Sequence, residues 1–98
     1  MVAGNLMTIR HDATSLSYRD VVRIDSQIRC CSESSGMVIV DLTNTSETST
    51  AALAKLILVR RYLMKSGRDL CISGLAGQPG AMYRIYRLTN LLPHIRDT

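Results

Sequence analysis

The chain has 98 residues, 46% of them apolar, with 12 Lys and Arg against 8 Asp and Glu for a net charge of +4. That supports one small domain over residues 1–98, and no apolar run reaches the roughly 18 residues a membrane-spanning helix needs. The basic residues are dispersed, and with no Phe or Trp and four Tyr the chain is poorly equipped to stack on bases, so nucleic acid is not the expected partner.

The first residues, Met1 to Met7, lack the basic start and long apolar centre of a signal peptide, which points to the cytoplasm. Cys30, Cys31 and Cys71 agree with that compartment as reduced structural thiols. No C-x-x-C spacing occurs, so neither a zinc site nor a redox pair is expected, and no cofactor motif is present. Gly74-x-x-Gly77-x-x-Gly80 has neither the Lys nor the spacing of a phosphate-binding loop.

In chain order, residues 1–16 are the least legible, with a short strand at Leu6–Ile9 and a turn at His11-Asp12. Ser17 and Asp20 then have the spacing of a capping box, and Val21, Ile24, Ile28 and Cys31 form one apolar stripe. Arg19, Arg23, Asp25 and Gln27 fall outside that stripe. Ser32 to Gly36 breaks the helix. Residues 37–42 are a nearly continuous apolar run interrupted by Asp41, as in a strand covered on both faces. The hydroxyl-rich stretch Thr43 to Thr50 follows, and from Ala51 the chain is strongly helix-forming through residue 66, with Ser49 or Thr50 as the N-cap. Gly67 ends that helix in a left-handed position, and Leu70–Ser73 is a second buried strand. Strand, helix and strand make a parallel, right-handed βαβ unit. After a glycine-rich loop, Pro79 suits the first turn of another helix. Met82, Ile85 and Leu88 should face inward there, with Tyr83, Arg84 and Arg87 outward. Pro93 closes the helix and Ile95 is a last packing contact. The expected fold is α/β, a short mixed sheet with helices packed against it.

A helical wheel of residues 52–65 places Ala52, Leu53, Leu56, Ile57, Val59, Leu63 and Met64 on a core face. Arg60 falls within that arc and should snorkel past the sheet edge. Ala54, Leu58 and Tyr62 form an i, i+4 stripe on the other side, either a partner-contact surface or a seat for the first helix. The strand-to-helix junction offers free N–H groups, so an anion, nucleotide or lipid headgroup at this helix N-terminus is a second reading. No acid–base pair or activated nucleophile can be assembled from His11, His94, Asp41 and the cysteines, so catalysis is not expected.

Asp41-Leu42, the polar loop, Leu53 and the closing Gly67 fall without a gap in a register that resembles the STAS domain, named for sulfate transporters and anti-sigma-factor antagonists. Leu70–Ser73 and Leu88-Thr-Asn-Leu91 resemble its closing segments, so the likeness spans about residues 37–95, with an abbreviated N-terminal part. The resemblance implies a small STAS-like fold and a non-enzymatic regulatory module. Its partner would be an anti-sigma factor that is also a serine kinase, or another STAS-containing protein. In anti-sigma-factor antagonists, phosphorylation of a loop serine breaks the complex, because a charge near −2 at an interface repels acidic neighbours and resists desolvation. Here Ser49 stands at the family's Asp, Thr50 at the first Ser, Ala51 at the phospho-acceptor and Ala52 at the Gly. Ala51 cannot accept a phosphate. Either Thr50 or Ser49 takes that role, or the module binds constitutively; helix capping is the simplest structural role for both hydroxyls. The implied contact surface is Ser46, Glu47, Thr48, Ala51, Ala54, Leu58 and Tyr62.

Overall fold

Strands and helices alternate along the chain because its apolar runs alternate between short β-branched stretches and longer amphipathic ones. The structure, a computed structural model, describes residues 6–30 and 36–95. Their order is β1 (Leu6–Arg10), β2 (Ser15–Leu16), α1 (Tyr18–Cys30), β3 (Met37–Asp41), β4 (Glu47–Thr48), α2 (Thr50–Met64), β5 (Asp69–Ser73), α3 (Gly77–Ile85), a 3-10 turn at Leu88–Asn90, and β6 (His94–Ile95).

The main sheet runs β1-β3-β5-β6, and each of its pairings is parallel. The fold class is therefore α/β as expected, but the sheet is parallel rather than mixed. Each next strand is reached by a crossover through a helix, which returns the chain to the same end of the sheet. β2 and β4 form a separate two-stranded parallel ribbon.

Pairing aligns Ile9, Val40 and Ile72 across three strands, with Val38 opposite Leu70. These residues join Leu53, Leu56, Val59 and Leu63 of α2 and Val21, Ile24 and Ile28 of α1 in one core. The Ser17–Asp20 capping box forms in full: the Ser17 amide donates to Asp20 Oδ2 at 2.9 Å and the Asp20 amide to Ser17 Oγ at 3.1 Å. Gly67 has a φ of +78°, the left-handed position that stops α2.

Five placements differ from the sequence expectation, one of them Ile95, which is exposed rather than a packing contact. Asp25 is buried in the seam between α1 and α2, where Arg29 donates to it at 2.9 Å and Lys55 Nζ lies 4.0 Å away. The arc that α1 buries is wider than its apolar stripe because α2 packs beside it. Arg60 does not snorkel: its Nε meets Asp69 Oδ1 at 2.7 Å and its Nη1 donates to the carbonyls of Asn90 and Leu91, each at 3.1 Å. Burial alone would raise the Asp69 carboxyl, but Arg60 and the Leu70 amide hold it below the usual carboxylate value. Tyr83, not Ile85, faces the core, its hydroxyl donating to the Leu92 carbonyl at 2.7 Å, while Ile85 is exposed. α3 begins at Gly77, so its inner stripe is Pro79, Gly80 and Tyr83. Met64 is exposed in the last turn of α2. Cys31 and the breaker at 32–35 lie outside the described residues.

Candidate functional site

Two strand-to-helix connections meet at the carboxyl end of the sheet. The first runs from β3 to α2. Asp41 anchors its start, with Oδ1 accepting from the Thr43 amide at 2.9 Å and from the Thr43 hydroxyl, and with Arg10 Nε 3.6 Å from Oδ2. The Thr43 hydroxyl, aided by the Thr43 amide and Arg10 and opposed by burial, holds the Asp41 carboxyl below its usual range. Asp41 is thus a turn-forming residue, the pairing to backbone and Arg that a lone carboxylate suggests.

The hydroxyls that follow are bonded to residues 12–16. Asn44 Nδ2 donates to Asp12 at 2.9 Å, and buried Thr45 donates through Oγ1 to the Ala13 carbonyl at 3.1 Å. The Ser46 and Glu47 amides and the Ser46 hydroxyl all converge on the Thr14 carbonyl. Thr48 Oγ1 donates to the Leu16 carbonyl at 3.0 Å. Gln78 of α3 closes the far side, accepting from the Thr48 amide at 2.9 Å and donating to its carbonyl at 3.2 Å. Among the expected contact residues, Ser46, Glu47 and Thr48 are therefore held in a ribbon rather than on a loose loop. Nothing in the local sequence announces this ribbon, because its partners lie about thirty residues away.

Ser49 is the N-cap of α2, accepting from the Ala52 amide at 3.1 Å. Thr50 is the first helical residue, is exposed, and makes no hydrogen bond among the described residues. Ala51 and Ala54 are exposed beside it, and Leu58 (55% exposed) and Tyr62 (43%) continue the stripe. Helix α1 reaches this stripe at Tyr62, where the Arg29 guanidinium lies 3.8 Å above the ring. Thr50 and Ala54 also form one wall of an apolar groove of about 270 Å³, completed by Leu53, Ile57, Tyr86 and Leu88. Tyr86 and Leu88 come from the α3–β6 segment; Leu88 was expected to face inward, but neither was expected beside α2.

The second connection, from β5 to α3, is built differently. Gly74 has a φ of +76°, and a Cβ on it would lie 2.7 Å from the Thr43 amide nitrogen and 2.8 Å from Thr43 Cα. Beyond it opens a cavity of about 500 Å³ bounded by Leu75, Gly80, Tyr83, Arg84, Thr89 and His94. Burial pushes the Cys71 thiol up, making it a poorer nucleophile. His11 follows β1 and His94 opens β6, at opposite edges of the sheet. Among the described residues, no three His, Cys, Asp or Glu converge as a metal site, and no helix is long and apolar enough to cross a membrane.

This architecture matches a solved sulfate transporter family protein from Wolinella succinogenes, with a TM-score of 0.74 over 89% of this chain and 70% of that one. The fold is STAS-like. Identity over the match is 11%, so the likeness is one of fold. No protein-family model and no curated protein matches the chain in sequence. The N-terminal part contains a true strand: β1 pairs with β3 from Leu6 to Arg10.

Proposed function

We propose that this STAS-like domain is a non-enzymatic regulatory module that binds a protein partner through residues 44–50 and α2. The anti-sigma-factor antagonist reading puts a serine kinase or another STAS-containing protein there. The observation that carries the proposal is the exposed stripe of Ala51, Ala54, Leu58 and Tyr62 running from the Thr50 hydroxyl, with an apolar groove alongside. An exposed apolar row on a rigid helix suits a helix-in-groove or helix-to-helix contact.

The switch position in this reading is Thr50. Ser49 has its oxygen committed to the cap, whereas the Thr50 hydroxyl is exposed and stands at the rim of the groove. A phosphate on Thr50 would place charge beside Leu53, Ile57 and Leu88 and oppose desolvation of that groove by a partner. An anion at the α2 N-terminus is the weaker reading, since Ser49 already takes the Ala52 amide and Gln78 the Thr48 amide.

The experiment is capture of partners from native lysate by the tagged chain, with and without ATP, using Thr50→Glu and Leu58→Asp as probes. Loss of a specific partner in both variants, with melting temperatures unchanged, is the expected result. A partner retained by both would sink the proposed surface.

A further inference from the structure

The cavity behind the β5–α3 connection is separate from the α2 surface and plays no part in the protein-binding proposal. It lies outside the carboxyl end of β5, beside His94 at the start of β6, and the carboxyl ends of strands are where open α/β sheets seat their ligands. Its volume, about 500 Å³, falls within the range of roughly 300–1,000 Å³ usual for small-molecule sites.

The walls are held in place. Tyr83 is pinned by its hydroxyl on the Leu92 carbonyl and meets the His94 ring edge-on, with ring centroids 5.8 Å apart. His94 Nε2 is oriented in turn by the Leu75 amide at 3.3 Å. Against this scaffold stands Arg84. Its guanidinium folds back over Gly80, with Nη1 3.8 Å from where a Cβ on Gly80 would lie, and it makes no ion pair or hydrogen bond among the described residues. Arg10, Arg23, Arg29 and Arg60 rest against carboxylates, whereas Arg84, exposed like Arg19, Arg61 and Arg87, has no carboxylate partner among the described residues and is the one of these four that lines the cavity. Among the described residues no Asp or Glu lines the cavity, and the Thr89 hydroxyl adds a second polar group to it. A planar guanidinium matches the two oxygens of a carboxylate or a phosphate in fork geometry. The cavity is larger than one such group, and Leu75 and Tyr83 offer apolar surface for the remainder.

We propose that this cavity binds a small organic anion, a carboxylate or a phosphate monoester on a compact apolar body, with Arg84 holding the charged group. Thr89 contributes a hydroxyl to the same group, and the Tyr83–His94 wall receives the body.

The test is a titration of the isotope-labelled full chain with phenyl phosphate, benzoate and neutral benzyl alcohol, followed by amide NMR. Saturable shifts at Gly74, Leu75 and Gly80 with at least one anion, and none with benzyl alcohol, are expected. Arg84→Met should weaken that binding at least about tenfold, the worth of a charged hydrogen-bonded pair. Arg87→Met, which removes an equal charge from a residue outside the cavity, should change it less than about twofold. Phenyl phosphate binding more tightly would identify the phosphoryl group as the natural one, and benzoate more tightly the carboxylate. Three results would overturn the proposal: no saturable shift with either anion, equal binding of benzyl alcohol, or equal losses in Arg84→Met and Arg87→Met. Equal losses would mark diffuse attraction to a basic surface, as for a nucleic acid.

Discussion

The two connections at the carboxyl end of the sheet solve the same problem in opposite ways. Between β3 and α2, each hydroxyl or amide side chain from Thr43 to Ser49 has a named partner, for half of them a carbonyl of residues 13–16. Between β5 and α3, Gly74, Leu75 and Ala76 carry no side-chain hydrogen-bonding group, and a cavity remains behind them. A loop rich in polar side chains is therefore the more occupied of the two. What is chemically available is what the ribbon leaves over: the Thr50 hydroxyl on one side and Arg84 on the other. Gln78 links the two connections, since it stands in α3 and holds Thr48 by both backbone groups.

Substitutions can break this contrast in graded steps. The largest effect is expected from Gly74→Ala, where the methyl would meet Thr43 backbone and the positive φ disfavours any L side chain. A loss of about 3 kcal/mol in denaturant unfolding is expected, and Thr43→Ala should not rescue it because the clash includes main-chain atoms.

Asp41→Ala comes next, at about 2 kcal/mol for a charge-assisted turn. Its pH dependence has a definite sign. The folded carboxyl lies below its unfolded value of about 3.9, so its contribution is complete above that value and is lost as pH falls through the lowered folded one. The gap in stability between the parent and Asp41→Ala should thus be widest near neutral pH and narrow in acid. A gap constant down to pH 2 would remove the carboxylate from the account.

Gln78→Ala should cost about 1 kcal/mol and, more tellingly, speed amide exchange at Thr48 without changing exchange in β3. Unaltered exchange at Thr48 would mean that the two connections are independent. The paired hydroxyls sharpen the comparison further. Ser49→Ala removes the cap and should cost about 1 kcal/mol, while Thr50→Ala should stay within about 0.5 kcal/mol. Similar losses in both would show that Thr50 is structural and spoil its candidacy as a switch. One substitution should give a gain: a Cβ at Gly80 meets only ordinary contacts, so Gly80→Ala should stabilise α3 by about 0.5–1 kcal/mol.

Much of the architecture is readable from local pattern. The Ser17–Asp20 box, the Ser49 cap, the left-handed Gly67 and the parallel pairing of β3 with β5 all depend on residues within a turn or on one amphipathic face. The exposed Leu58 also follows from its position on the wheel. Helix caps and periodicity act over a few residues, so a single sequence carries them whole.

Other features exist only because distant segments meet. Arg60 found Asp69 and the carbonyls of Asn90 and Leu91; Thr45 and Thr48 found residues 13 and 16; Asp25 was buried by a neighbouring helix rather than by its own stripe. The inward face of α3 turned on where that helix begins, which moved Tyr83 into the core and Ile85 out of it. The groove beside Thr50 and the cavity beneath Arg84 are of the same kind, each drawing walls from elements far apart in the chain. The sequence alone determined β1, β3, β5, α1 and α2, the caps of the two helices and most of their core faces. Tertiary packing alone decided which polar groups were satisfied and which were left facing open space, because a hydrogen bond needs its partner within about 3 Å and only the folded chain sets that distance.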